Sequence, residues 1–168
     1  DTATVKIIFS EAVAGFASND DVTVPNGTLS PMTSFDNILW TGTYTPNADV
    51  EDATNELIFG TDWTDTAGNT GFLFTSMNFT IDTAVPVITL LGDATVTIEV
   101  GSAYTDAGAT AIDNYDGLAD LTSSIITLSY SSYPFYDPFD PSAPAVVGVY
   151  ALTYNVTDAN GNVAVEVT

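Results

Sequence analysis

The sequence predicts an all-β chain of two β-sandwich domains in tandem. Apolar residues recur at every second position throughout the chain, and no stretch with a helical repeat is longer than two turns. Aspartate supplies 17 of the 22 acids, and this short carboxylate favours turns, whereas glutamate favours helices. The pattern Thr-Asp-x-x-Gly-Asn begins at Thr64 and again at Thr157, each time before a short alternating strand. Two copies of one β-rich architecture account for these three observations.

Nine segments carry the alternation and are predicted as strands. Clusters of Pro, Asn, Gly and Asp separate many of them, as turns between short strands require. In chain order the predicted strands are 5–9, 22–24, 38–44, 57–59, 72–81, 87–91, 96–100, 125–130 and 150–156. Short strands at this spacing are typical of a β-sandwich.

A proline predicts the boundary between the domains. Pro86 starts a fresh strand and keeps the residue before it extended, as expected of a linker. The first domain is therefore predicted at 1–82, the linker at 83–86 and the second domain at 87–168.

The composition excludes most enzyme chemistry. Histidine and cysteine are absent, which excludes Ser-His-Asp and Cys-His nucleophiles, thiolate zinc sites, imidazole metal ligands and disulfides. Lys6 is the sole basic side chain and the formal net charge is −21, so binding of a nucleic-acid backbone is excluded as well. The carboxylates lie on predicted loops with no sign of the groove or apolar pocket that a glycosidase needs. We therefore predict no enzyme activity and no membrane insertion, because no apolar run approaches the length of a membrane span.

Short motifs in both halves carry a resemblance to known families. The motifs are Phe9–Val13, Gly15–Phe16, Asp21–Val24, Asn26–Ser30 and Thr64–Asn69 in the first half, and Pro86–Leu90, Val96–Gly101, Tyr104–Ala109, Asp113–Gly117, Gly148–Tyr154 and Thr157–Asn162 in the second. The first half resembles a bacterial Ig-like repeat of large surface proteins, and the second resembles another bacterial Ig-like family that is related to HYR-type domains. The resemblance implies two tandem Ig-like β-sandwiches at the cell surface or outside the cell. Such domains serve as spacers, adhesins or enzyme appendages.

The first domain departs from the family that it resembles. Another strand normally precedes the one that holds Phe9, and almost nothing precedes it here. One interpretation is a fragment of a longer chain. The other is that a neighbouring domain or molecule donates the strand by β-augmentation, which would make the chain a subunit of an extracellular filament.

Acidic loops predict a calcium site. In the Ig-like topology successive loops lie at alternate poles, so several acidic loops are expected to meet around Asp82 at the interdomain junction. Crowded carboxylates need a counter-charge, and Ca²⁺ takes six to eight oxygen ligands of this kind. The candidate ligands are Asp49, Glu51, Asp52, Asp82, Asp113, Asp116, Asp158 and Asn160. A weaker second cluster is Glu11, Asp62, Asp65 and Asn69. The alternative is that these side chains only close turns by bonding local backbone amides.

An insertion in the second domain is rich in aromatic residues and proline. Residues 130–144 hold five aromatic residues and four prolines and no basic group. Because proline limits the unfolded ensemble, such a loop can present aromatic rings at low ordering cost. It could pack on its own domain, anchor a neighbouring protein or stack on sugar rings. The candidate partner-binding residues are Tyr133, Phe135, Tyr136 and Phe139.

These patterns together predict a non-catalytic structural and adhesive repeat of an extracellular surface protein, rigidified by Ca²⁺ at the junction of its two domains. Its expected partners are neighbouring Ig-like domains or subunits, and surface glycans are a further candidate. Two alternatives remain open: a filament subunit assembled by strand complementation, and an accessory carbohydrate-binding module.

Overall fold

The computed structural model of the chain describes residues 1–114, 119–131 and 148–168. The chain divides into two compact units, Asp1–Thr83 and Ala84–Thr168. The division falls inside the linker that the sequence predicts at 83–86. Nearly all regular structure in the described residues is β, which confirms the all-β prediction.

Unit 1 contains eleven short strands and one helical turn. The strands are β1 (Ala3–Ile8), β2 (Val13–Ala14), β3 (Val22–Thr23), β4 (Gly27–Leu29), β5 (Thr33–Ser34), β6 (Leu39–Pro46), β7 (Glu51–Asn55), β8 (Ile58–Phe59), β9 (Thr64–Asp65), β10 (Phe74–Thr75) and β11 (Phe79–Asp82), and the helical turn is α1 (Ser18–Asp21).

All strand pairs of unit 1 are antiparallel. One sheet has the order β1-β6-β4, with β5 also paired to β6, and a second has the order β10-β8-β3. Two further pairs, β7 with β11 and β2 with β9, complete the unit. Strands β1 and β10 each lie at the end of their sheet.

The core of unit 1 is aromatic. Alternation along β1 turns Ile7 inward, and Phe9 continues the same face beyond the strand end. The Phe9 ring meets Phe16 and Trp63 edge to face, at centroid distances of 5.4 and 4.8 Å, and Phe59 stacks on Phe74 at 4.3 Å. The indole N–H of Trp63 donates to the Gly60 carbonyl, so the buried ring keeps its hydrogen bond.

A buried amide ties three segments of unit 1 together. Asn55 is fully buried, and its Nδ2 donates to the backbone carbonyls of Asp52 (2.9 Å) and Phe79 (3.2 Å). Its Oδ1 accepts a hydrogen bond from Asn26 Nδ2 (2.9 Å), which donates to Asp52 Oδ2 as well. The network fastens β7 to β11 and to the turn before β4.

Unit 2 contains five strands within the described residues. They are β12 (Val87–Leu90), β13 (Ala109–Asp113), β14 (Ala119–Asp120), β15 (Ile126–Ser131) and β16 (Tyr150–Asn155). Antiparallel pairing gives one sheet of order β12-β13-β14 and a second sheet of β15 with β16. A small core joins them, and its buried members are Ile88, Ala109, Ala111, Tyr154, Val156 and Ala164.

Three local features differ from the sequence predictions. The predicted strand 72–81 is divided into β10 and β11, which pair with β8 and β7 respectively. No strand forms at 96–100, where the alternating Val96, Ile98 and Val100 are more than a third exposed and pair with no described strand. Alternation needs a partner strand to become a ladder, so the pattern alone is insufficient. The turn α1 was not predicted, because side chains stabilise it: Asp21 Oδ2 accepts the Ala17 N–H at 2.7 Å.

Candidate calcium centre

The loop that follows β16 folds around one carboxylate. Asp158 Oδ1 accepts the backbone N–H groups of Asn160 and Asn162, both at 2.8 Å, and its Oδ2 accepts the side-chain amide of Asn162 at 2.7 Å. Gly161 has φ 92°, a conformation that favours glycine. The motif Thr-Asp-x-x-Gly-Asn therefore encodes a complete local structure.

The equivalent loop of unit 1 has the same hydrogen bonds. Asp65 Oδ1 accepts the N–H groups of Ala67 and Asn69, both at 2.8 Å, and Oδ2 accepts the Asn69 amide at 2.6 Å. The side-chain and backbone hydrogen bonds from Asn69 lower the pKa of the Asp65 carboxyl below its usual value. Asp65 and Asp158 therefore each close the turn in which they lie. A carboxylate offers about four lone-pair sites, and turn closure occupies most of them on each of these acids.

Unit 2 brings two of the predicted ligands together in a buried place. A carboxylate oxygen of Asp113 and one of Asp158 lie within 4.8 Å of each other. The side chains are only 4% and 8% exposed. Asp113 ends β13, where its Oδ1 also accepts the N–H of Asn114 at 2.9 Å. Two buried carboxylates at this distance repel each other, and the sole basic side chain of the protein is an exposed lysine in unit 1.

Unit 1 places two more predicted ligands opposite each other. Asp82, the last residue of β11, is the cross-strand partner of Glu51 on β7. Directly opposite side chains project from the same face of an antiparallel pair, and two like charges there are unfavourable. A bulge between Phe79 and Ile81 sets this register.

The remaining predicted ligands have different surroundings. Asp49 is exposed in a turn with φ 58°, and Asn160 is exposed as well. Asp52 accepts the backbone and hydroxyl groups of Thr54, which lower the pKa of its carboxyl, and it accepts the amide of Asn26. Asp116 lies outside the described residues.

The three acids of the weaker cluster, Glu11, Asp62 and Asp65, lie in the described part of the chain and do not come together as a group of three. Glu11 and Asp62 are exposed, and Asp65 is bonded to Asn69 within its own loop. Within the ranges that the structure describes, these acids do not bring three carboxylate oxygens within 4.8 Å of one another. The predicted partner-binding residues Tyr133, Phe135, Tyr136 and Phe139 lie outside the described residues.

Sequence reasoning missed one residue of this centre. Asn162 supplies two hydrogen bonds that orient the Asp158 carboxylate, one from its backbone N–H and one from its side-chain amide. The final Asn of the repeated motif was the signal that could have identified it, because the same position in the first copy, Asn69, does the same for Asp65.

Comparison with family models identifies both units. Residues 1–81 match the model of a bacterial Ig-like domain, and residues 88–130 match that of a bacterial surface protein, Ig-like domain. Both units are bacterial Ig-like domains. The expected family and the all-β Ig-like fold are thereby confirmed. No curated protein and no solved structure gives a significant match to the chain.

The Ig-like domains contain little helix. None of the helices in the described ranges is long and apolar enough to cross a membrane. Families of this type are typically non-catalytic, and the second match is to a family of bacterial surface proteins.

Proposed function

We propose that the chain is a non-catalytic structural and adhesive repeat of an extracellular surface protein, and that Ca²⁺ binds at the junction of its two Ig-like domains. The observation that carries the proposal is the buried pair Asp113 and Asp158, whose oxygens lie within 4.8 Å of each other. Burial increases the mutual repulsion of two carboxylates this close together, and a cation that takes oxygens from both would relieve it.

The proposed ligand set is Asp82, Asp113 and Asp158. Asp82 is the natural third ligand because β11 ends there, two residues before unit 2 begins. Backbone carbonyls, water and the nearby loop residue Asn160 would complete the six to eight oxygens that Ca²⁺ takes. An ion that holds ligands from both domains would restrict their relative motion and so set the reach of a repeat array.

The mechanism is thermodynamic linkage. A cation that binds only the folded protein stabilises it by RT ln(1 + [Ca²⁺]/Kd). Extracellular modules bind Ca²⁺ with Kd of about 10⁻⁴ to 10⁻³ M. At ten times Kd the gain is about 1.4 kcal/mol, a difference that thermal unfolding resolves easily.

The test measures thermal unfolding and Ca²⁺ binding by calorimetry, with Ca²⁺, with chelator and with Mg²⁺. Asp113→Asn should abolish the increase in Tm on Ca²⁺ addition, whereas the exposed Asp93→Asn should keep it. Small-angle scattering should show a narrower distribution of shapes with Ca²⁺ than with chelator. If Ca²⁺ changes neither Tm nor the scattering of the unmodified protein, the calcium proposal is wrong. The adhesive and glycan-binding hypotheses based on residues 130–144 stay predictions.

A further inference from the structure

Unit 1 has an apolar groove between two sheet edges. The groove has a volume of about 670 Å³ and runs along β1, between this strand and β10. Its floor consists of core side chains, among them Phe9, Phe59 and Trp63. Close to it, Ile8 and Phe72 expose 75% and 72% of their surface. The groove thus exposes apolar side chains in a part of the molecule where a sandwich is normally closed.

Both edges of the groove present backbone hydrogen-bonding groups. The Phe9 N–H donates to the Ile38 carbonyl at 3.0 Å, in the direction of β6. Because this direction alternates along a strand, the N–H and C=O groups of Thr4, Lys6 and Ile8 point away from β6. Across the groove, Ser76 donates to Leu57 at 2.9 Å, so the backbone groups of Thr75 point away from β8 by the same rule.

We infer that the groove binds an extended strand donated by a neighbouring protein module, which adds to β1 by β-augmentation. The backbone of β1 supplies the hydrogen bonds, and the apolar floor takes every second side chain of the incoming strand. The six residues of β1 span about 20 Å, so the donated segment is of about that length. This inference is independent of the proposed calcium site.

The positive charge of Lys6 favours an acidic residue in the donated strand. Lys6 projects from the outer face of β1, since its neighbours Val5 and Ile7 face inward. An incoming strand therefore places a side chain beside this ammonium group, and an acidic residue there is favourable. Pairing of β1 with the β1 strand of a second copy would instead bring two lysines onto the same face, which opposes self-association.

The experiment uses the full chain with a probe strand, Thr-Val-Thr-Val-Asp-Val-Thr, joined to the amino terminus through a flexible linker. The linker raises the effective concentration of a weakly binding strand into the millimolar range. Binding should raise Tm by about 4 °C or more relative to a fusion that carries the same residues in scrambled order. Amide exchange of Lys6 and Ile8 should slow, whereas the amide of Ile7, already directed at β6, serves as the internal reference.

Two variants sharpen the test. Ile8→Pro removes one of the outward N–H groups without removing a bond to β6, so it should fold and lose the effect of the probe. In the Lys6→Glu variant, a probe with Lys in place of Asp should become the stronger binder, with a preference reversed by about two- to fivefold. This second comparison uses two probes on one folded protein, and it remains decisive if the proline variant fails to fold.

The inference is overturned if the alternating and scrambled probes give equal Tm values. It is overturned as well if the chain without a probe forms dimers in which the Lys6 and Ile8 amides are protected, because the occupant is then a second copy.

Discussion

Hydrogen bonds from single side chains link neighbouring segments of this protein, and the clearest case is Asn55. Folding removes its amide completely from water, and three hydrogen bonds replace the lost solvation. Replacement by alanine removes the acceptor for the Asn26 amide. It also removes the donor to the backbone carbonyls of Asp52 and Phe79.

We expect Asn55→Ala to lower the free energy of unfolding by about 1 to 3 kcal/mol. Urea unfolding followed by tryptophan fluorescence measures the change. Asn19→Ala on the exposed face of α1 is the matched control and should change the value by less than about 0.5 kcal/mol. Equal effects of the two substitutions would show that the buried network does not stabilise unit 1.

The Asp65 loop predicts a pH dependence of stability. Hydrogen bonds lower the pKa of this carboxyl below 3.8 in the folded state, so the folded state favours the ionised form. The stabilisation is therefore present above pH 3.8 and is lost as the pH falls through the lowered pKa. In Asp65→Asn this contribution is absent, and the difference in unfolding free energy from the unmodified protein should shrink below about pH 4.

The measurement is a series of urea unfolding curves between neutral pH and pH 2.5. Comparison of the two proteins at each pH cancels the general loss of negative charge, which affects both alike. A difference that stays constant down to the lowest pH would contradict the assigned role of the hydrogen bonds.

At the scale of elements, alternation predicted strands well where a partner strand exists. The segments 38–44, 87–91 and 150–156 became β6, β12 and β16, and each pairs over four or more residues. The pattern at 96–100 is equally regular, yet it forms no strand. Periodicity reports which side chains could share a face, whereas a ladder also requires a second backbone in register.

The same distinction explains which parts of the candidate calcium centre the sequence could predict. The short repeated motif specifies the Asp158 loop through contacts within five residues, so the sequence reveals it. The opposition of Glu51 and Asp82 depends on a bulge in the β7–β11 pair, where β7 carries one residue more than β11, and sequence patterns do not give the register of such a pair. The groove beside β1 forms between the edges of two different sheets, so no local sequence pattern predicts it.

At the scale of the whole molecule, the dominant quantity is the net charge of −21 over 168 residues. Repulsion among so many carboxylates destabilises the folded state, and dissolved salt screens this repulsion. The composition thus predicted the acidic character, but only the structure shows that Asp65 and Asp158 close turns and that Asp158 also lies beside the buried Asp113.

We expect NaCl to raise Tm by a few degrees between about 0.01 and 1 M, since the Debye length falls from about 30 to 3 Å over this range. Millimolar Ca²⁺ should add to Tm at constant ionic strength, and Mg²⁺ should add less because it favours stricter octahedral geometry. A Tm that is insensitive to NaCl would show that the acids are too far apart to repel each other appreciably.

The position of Lys6 also determines where trypsin can cleave this protein. Trypsin cleaves after lysine and arginine, and Lys6 is the one such residue in the sequence. Its bond lies in β1, a strand with one side paired to β6 and the other open to the groove. The 168 residues therefore offer trypsin a single cleavage site, and a strand bound in the groove would shield it.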